Sequence, residues 1–197
     1  MSLRFKQLTR SFAEGRTYNL KNGARLRLTK LHDADAIQRT LSQPELGKWI
    51  TFVGSNFHQG RALGLCTRAL DGALTGKELM LVAETDEEFP TYMGSVGIHT
   101  IEADPTTAEV GYWVDRKFQG RGLGKTLLEA AIDIAFNEAG FINLEASAAT
   151  DNLASLYLLK RFGFSDLRNE ELETADGKLR PSLVLGLPNP VLTYEVA

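Results

Sequence analysis

Cysteine is nearly absent. The 197-residue chain carries one, Cys66, which excludes a disulfide framework and suits a reducing compartment. Long apolar runs are missing too, since no stretch approaches the roughly 20 residues of a membrane span. The first residues carry Arg4 and Lys6 and no apolar core, so no signal peptide is expected, and the cytoplasm is the expected location. No basic stripe runs through a chain of net charge −3, which argues against nucleic acid as a partner. The three histidines, His32, His58 and His99, lack metal-ligand spacing; they read as structural or exposed, with no metal. Internal repeats and low-complexity tracts are absent. What is present is ordinary for a soluble protein, at 43% hydrophobic and 24% charged, and long enough for one domain with its own core.

Residues 1–16 read as an N-terminal extension and 188–197 as a loose tail. Between them, Thr17–Thr29 alternates around Asn22-Gly23, the preferred pair of a two-residue type I′ hairpin. Asp33 or Asp35 caps a short helix over Ala34–Leu41, which Pro44 stops. His58–Leu74 sets Ala62, Leu65, Cys66, Ala69 and Ala73 on one helical face, where the lone thiol is packing. Strands are expected over Leu79–Glu84, Tyr92–Ile101 and Thr107–Val114. A glycine-rich loop and a long helix closed by Gly140 follow, then a strand at 142–148, a helix at 153–162, and a hairpin of Ser165–Glu173 with Arg180–Leu187. Such an order describes a mixed α/β domain around one twisted sheet.

The informative stretch is Arg116 to Lys125. It follows the apolar strand Glu109–Val114 and opens onto Leu127, Leu128, Ala131, Ile132 and Ala135, one face of a helix. A strand, a glycine turn and a helix start form an anion site: glycines let the backbone approach, and unpaired N–H groups and the helix dipole supply positive charge. Arg116, Lys117, Arg121 and Lys125 reinforce it, which points to a phosphate ester. Gly124-Lys125-Thr126 matches the end of a P-loop, but Gln119 stands where its first glycine must be. A dinucleotide fingerprint fails because Lys125 stands where a small residue is required.

Gln119-Gly120-Arg121-Gly122-Leu123-Gly124 instead fits [Q/R]-x-x-G-x-[G/A]. Downstream, Asn152-Leu-Ala-Ser155 runs on to Gly163-Phe164 in an N-x-x-[A/S]-(x)7-G-F pattern, one helix and one strand away. Over residues 92–187 the chain resembles the GNAT superfamily of acyl-CoA N-acyltransferases. Through Gly111-Tyr-Trp-Val and Gln119-Gly120 it resembles the ribosomal-protein N-terminal acetyltransferase branch.

The resemblance implies a single domain with a mostly antiparallel sheet of about seven strands and about four helices. It implies acetyl-CoA as co-substrate, with the pyrophosphate held by backbone groups of Gln119, Gly120, Arg121, Gly122, Leu123, Gly124, Lys125 and Thr126. Asn152 would bond the pantetheine arm, lying where the strand carrying Gly111 splays from its neighbour, and an N–H near Val114 would polarise the thioester. The superfamily's usual tyrosine acid falls on Leu159, so that acid is missing. In the ribosomal branch, a serine matching Ser155 and a hairpin glutamate matching Glu173, with Glu171 as fallback, serve near the thiol and the amine.

Transfer is expected to be direct, because Cys66 has no activating partner. The acceptor is a primary amine, either a protein N-terminus or a small molecule such as an antibiotic, a polyamine or an amino acid. A site without a strong base favours an α-amine, of pKa about 7.7–8.0, over a lysine at about 10.4. The aromatic loop from Gly47 to Phe57 is the candidate acceptor wall or core, and Glu109 and Glu84 are carboxylates that can meet an ammonium group. A CoA-binding sensor without activity and an ATPase are the competing readings. Either a monomer or a homodimer fits.

Overall fold

The computed structural model describes residues 3–193, apart from 22 and 55. One sheet carries eight strands: β1 (Thr17–Asn19), β2 (Ala24–Leu28), β3 (Glu78–Thr85), β4 (Tyr92–Ile101), β5 (Asp104–Val114), β6 (Asn143–Ala149), β7 (Ser165–Glu173) and β8 (Leu179–Pro188). Their order is β1-β2-β3-β4-β5-β6-β8-β7. The expected class holds; the strand count is eight rather than about seven, because both terminal hairpins pair along their length. Every pair is antiparallel except β5 with β6.

That exception shapes the molecule. β5 and β6 match only at Thr107↔Asn143, Ala108↔Leu144 and Glu109↔Glu145, and then diverge. β5 meanwhile stays paired with β4 as far as Gly94↔Val114. The close approach is possible because Gly94 has no side chain: a Cβ there would lie 2.4 Å from the Trp113 carbonyl oxygen.

Central β3 is buried on both faces, and its residues sort by the period-2 rule. Leu79, Leu81 and Ala83 face a large core shared with α1 (Leu3–Ala13), α5 (Leu123–Asp133) and α6 (Leu153–Arg161). Met80 faces a second core, formed with α2 (Ala34–Leu41), α3 (Pro44–Gly47), α4 (Gln59–Thr75) and Trp113. Cys66 sits in that second core, fully buried, where burial pushes its thiol up to about 11.

Several expectations needed correction. Residues 3–13 form α1, an amphipathic helix that buries Phe5, Leu8 and Phe12 in the large core. The first hairpin closes at Leu20 N–H to Ala24 O, leaving three loop residues with Gly23 at φ 81°. That is the three-residue loop with a left-handed glycine, not the two-residue turn; Asn22 lies outside the described residues. Asp33 does not cap α2 with its side chain. Its carboxylate is held by both terminal nitrogens of Arg27 and by the Lys30 N–H. Of the expected tail, Pro190–Thr193 is a helical turn, α7, and residues 194–197 lie outside the described residues. No described helix is long and apolar enough to cross a membrane.

Candidate active site

The strand divergence opens a cleft of ≈ 970 Å³ between β5 and β6, within the range of small-molecule sites. Its floor is Glu109–Val114, and one wall is Ala146–Ala149 with the start of α6. Strand polarity follows from two hydrogen bonds. Thr106 O accepts from Ile142 on the β6 side, and Asp115 N–H donates to Met93 O on the β4 side. By alternation, the main-chain groups of Val110, Tyr112 and Val114 face β6, where the partner strand has moved away. The Val114 N–H therefore points into the cleft, and the Val114 O accepts from the Gln119 side chain at 3.0 Å.

At the open end lies the glycine loop. Gly120 and Gly122 hold φ of 72° and 78°, and a Cβ at either would touch nothing, so conformation rather than space requires glycine there. The first helical bond of α5 runs from Thr126 N–H to Gly122 O. The N–H groups of residues 120–125 accordingly have no acceptor among the described residues, and they sit at a helix N-terminus. Two expected members differ. The Gln119 N–H is taken by Arg116 O, and Thr126 directs both its N–H and its hydroxyl to Gly122 O. Leu123 contributes main chain only, its side chain lying in the core. Among the nearby cations, Arg116 is paired with Glu45 at 3.1 Å. Lys117 and Arg121 have no ion-pair partner among the described residues, and Lys125 lines the cleft.

Along the α6 wall, Asn152 caps the helix by accepting the Ser155 N–H at 3.3 Å, which leaves its side-chain amide N–H donors for a ligand. Ser155 faces the cleft, and its hydroxyl lies 3.4 Å from the Tyr112 hydroxyl. Burial raises the Tyr112 phenol, partly offset by Ser155. Leu159, in the slot of the usual tyrosine, is 1% exposed and packs in the core. Tyr157 lines the outer rim and is 68% exposed.

Glu173 is not brought to the cleft. Leu172, Arg180 and Ser182 line it, and the register pairs Leu172 with Arg180 and Glu170 with Ser182. Glu171 and Glu173 therefore point from the opposite face of the hairpin. Glu84 is also elsewhere, held by Arg25 and Arg27 at 2.8 Å each. The carboxylate that does reach the cleft is Glu109. Burial raises its carboxyl above the ordinary value; His99 and Arg168 oppose this, while Glu170 and Glu145 add to it.

The aromatic loop divides between both of its expected uses. Val53 and Phe57 join the second core. Trp49 and Phe52 line the cleft, with cations of the protein already on their faces: Lys48 and Arg180 at 4.4 and 4.8 Å from Trp49, and Arg68 at 6.0 Å from Phe52. Ala175 N–H to Thr51 O and an Arg180 bond to Lys48 O latch the β7–β8 hairpin onto this loop. Trp113 is fixed from below by Tyr92, at 2.7 Å.

Residues 25–165, most of the chain, match the family model of the acetyltransferase (GNAT) domain. The chain belongs to the GNAT acetyltransferase family. It is an acetyl-CoA-dependent N-acetyltransferase of that family. Among GNAT relatives, it is 28% identical over 160 residues to N-acetyltransferase p20 of Bacillus licheniformis, whose role is uncharacterised; this covers 78% of the chain and 86% of p20. It is 25% identical over 177 residues to Bacillus subtilis YdaF, named as a candidate ribosomal N-acetyltransferase, covering 87% and 89% of the two chains. In fold it is similar to Mycobacterium smegmatis RimJ, solved in complex with CoA-disulfide, with a TM-score of 0.75, 24% identity and coverage of 90% and 88%. The GNAT assignment carries the fold and the reaction class, and the choice of acceptor rests on the cleft.

Proposed function

We propose that this protein transfers the acetyl group of acetyl-CoA directly to the α-amine of a protein N-terminus. The observation that carries the reading is the divergence of β5 from β6, ending at a loop whose N–H groups from 120 to 125 have no acceptor among the described residues. A diphosphate meets those groups at the helix start. A pantetheine arm, rich in amides, then replaces the strand partner that β5 has lost, with Asn152 bonding it from the α6 wall. The Val114 N–H is placed for the developing oxyanion. Ser155, with the Tyr112 hydroxyl behind it, is the hydroxyl in place for the departing sulfur.

A protein acceptor is supported by the name of YdaF, a candidate ribosomal N-acetyltransferase, and by the cleft's charges. Arg68 and Arg180 line the cleft with Glu109, while Glu45, the other carboxylate of its lining, is paired with Arg116; Glu109 is thus the carboxylate placed to accept one ammonium group. Most of the acceleration comes from alignment of the two substrates.

Calorimetry against acetyl-CoA and ATP, followed by thiol release over a panel of amines, tests the reading. Binding of acetyl-CoA alone and turnover of peptides with free α-amines are expected. Turnover of a polyamine or an aminoglycoside but not of peptides overturns the acceptor assignment, and binding without any turnover returns the protein to a CoA sensor.

A further inference from the structure

Three polar side chains stand in a row across one face of the sheet. Register places Glu78 of β3 opposite His99 of β4, and His99 opposite Glu109 of β5. The Glu78 carboxylate is 3.7 Å from His99 Nδ1, longer than a hydrogen bond and within a small ring movement of one. The opposite edge of the imidazole leans over Gly97, because a Cβ at that position would lie 2.6 Å from Nε2. Gly97 is itself paired with Gly111, above which a Cβ meets nothing within 4 Å. His99 Nε2 thus overlooks a hollow made by two facing glycines in the acceptor half of the cleft.

We propose that Glu78 and His99 form a base dyad, in which His99 Nε2 takes the proton from the acceptor ammonium while Glu78 holds the ring by Nδ1–H. The dyad rests on the acetyltransfer reading above and supplies the base that the hairpin glutamates do not.

The step balances. The ammonium gives one proton to the neutral imidazole, and the amine attacks the thioester carbon as the C–N bond forms. The oxyanion collapses with loss of the C–S bond. The second nitrogen proton goes to the thiolate, and the imidazolium returns its proton to water.

Glu78 is suited to its part. It is buried, and Gly72 of α4 makes room for it, since a Cβ there would lie 2.6 Å from the Glu78 Cβ. Its other oxygen, Oε1, has no partner among the described residues, so no hydrogen bond ties the carboxylate elsewhere. The charged groups around His99 are Glu78 from β3, Glu109 from β5 and Arg68 from α4, the last 3.6 Å from Glu78. Glu145, Glu170 and Arg168 act on Glu109 from behind.

Nitrogen-15 NMR of the imidazoles, with His99 assigned through His99→Gln, reads the dyad without any acceptor. The expected tautomer at pH 8 carries its proton on Nδ1, and Glu78→Gln shifts the ring toward Nε2–H. A ring protonated on Nε2 in the unaltered protein overturns the proposal, as does a Glu78→Gln spectrum identical to it. Kinetics use acetyl-CoA and a tetrapeptide with a free α-amine, against an N-blocked blank. In a Glu109→Gln background, which removes the other acidic titration of the cleft, the enzyme should lose kcat/KM about tenfold per pH unit below its acidic midpoint, and adding His99→Gln should abolish that limb. His99→Ala should recover turnover when imidazole is added. The same limb in the double variant at the same midpoint overturns the dyad. Failure of the unaltered protein to bind CoA in the calorimeter sinks the acetyltransfer reading instead and leaves the tautomer result standing.

Discussion

Ser155 and Glu109 sit at opposite ends of the proposed reaction and predict different kinetic signatures. Ser155→Ala removes the hydroxyl offered to the sulfur. A positioned acid commonly contributes about 10²–10⁴-fold, but a thiolate is a fair leaving group, with thiol pKa near 8.5. A fall in kcat of about tenfold, with acetyl-CoA binding unchanged, is expected from steady-state kinetics. Glu109→Gln removes the carboxylate that draws the ammonium, so KM for the amine rises and kcat changes little. Because burial raises the Glu109 carboxyl, amine capture by the unaltered enzyme weakens as pH falls through that raised value, and KM of the glutamine variant loses this dependence. At this scale the placement of Asn152, Ser155 and the glycines on one cleft was legible, because motif spacing carries it. Glu173 was misplaced, because strand parity decides a side chain's face and one gap in alignment inverts it. His99 was invisible as a functional residue: its setting comes from Glu78, Gly97 and Glu109 on three strands, and no short-range spacing joins them.

Within single elements, the glycine loop offers a controlled comparison. Gly122 has φ of 78° and caps α5, whereas a Cβ at Gly124 meets its nearest neighbours at an ordinary 3.7 Å. Gly122→Ala should cost about 1–2 kcal/mol of stability through the left-handed backbone and weaken CoA binding; Gly124→Ala should leave stability nearly unchanged. Urea titration and calorimetry separate the two. Elements with strong local signals were readable, among them α4 with its apolar stripe and α5, which runs on through a π-helical segment, Ile134–Ala139, to the left-handed Gly140. α1 was missed because what makes it a helix of the core is a surface far along the chain: Phe5 meets Phe141 edge-on, with centroids 5.1 Å apart. Asp33 does stand at the N-cap position of α2, but its side chain makes no cap bond because an arginine six residues away takes its carboxylate with two hydrogen bonds.

Over the whole molecule, stability depends on that same long-range docking. Phe5→Ala leaves a cavity between α1 and Phe141 and should cost about 3–5 kcal/mol, read as a lower denaturation midpoint. Acid sensitivity has an identifiable contributor in Glu78. Burial alone would raise its carboxyl, but His99 and Arg68 more than offset this and hold it below the ordinary value. A depressed carboxyl contributes stability that is complete above its unfolded pKa, about 4.3, and fades as pH falls through the lower folded value. Glu78→Gln should flatten that part of the stability–pH curve.

The three rungs joining β5 to β6 make the sheet resemble a zip left partly undone. Two halves of one ladder are stitched at the base and free at the top, and the free teeth on the β5 side are main-chain amides. A guest that offers amides of its own to those teeth would complete the ladder, and its binding should then slow amide exchange of Val110, Tyr112 and Val114.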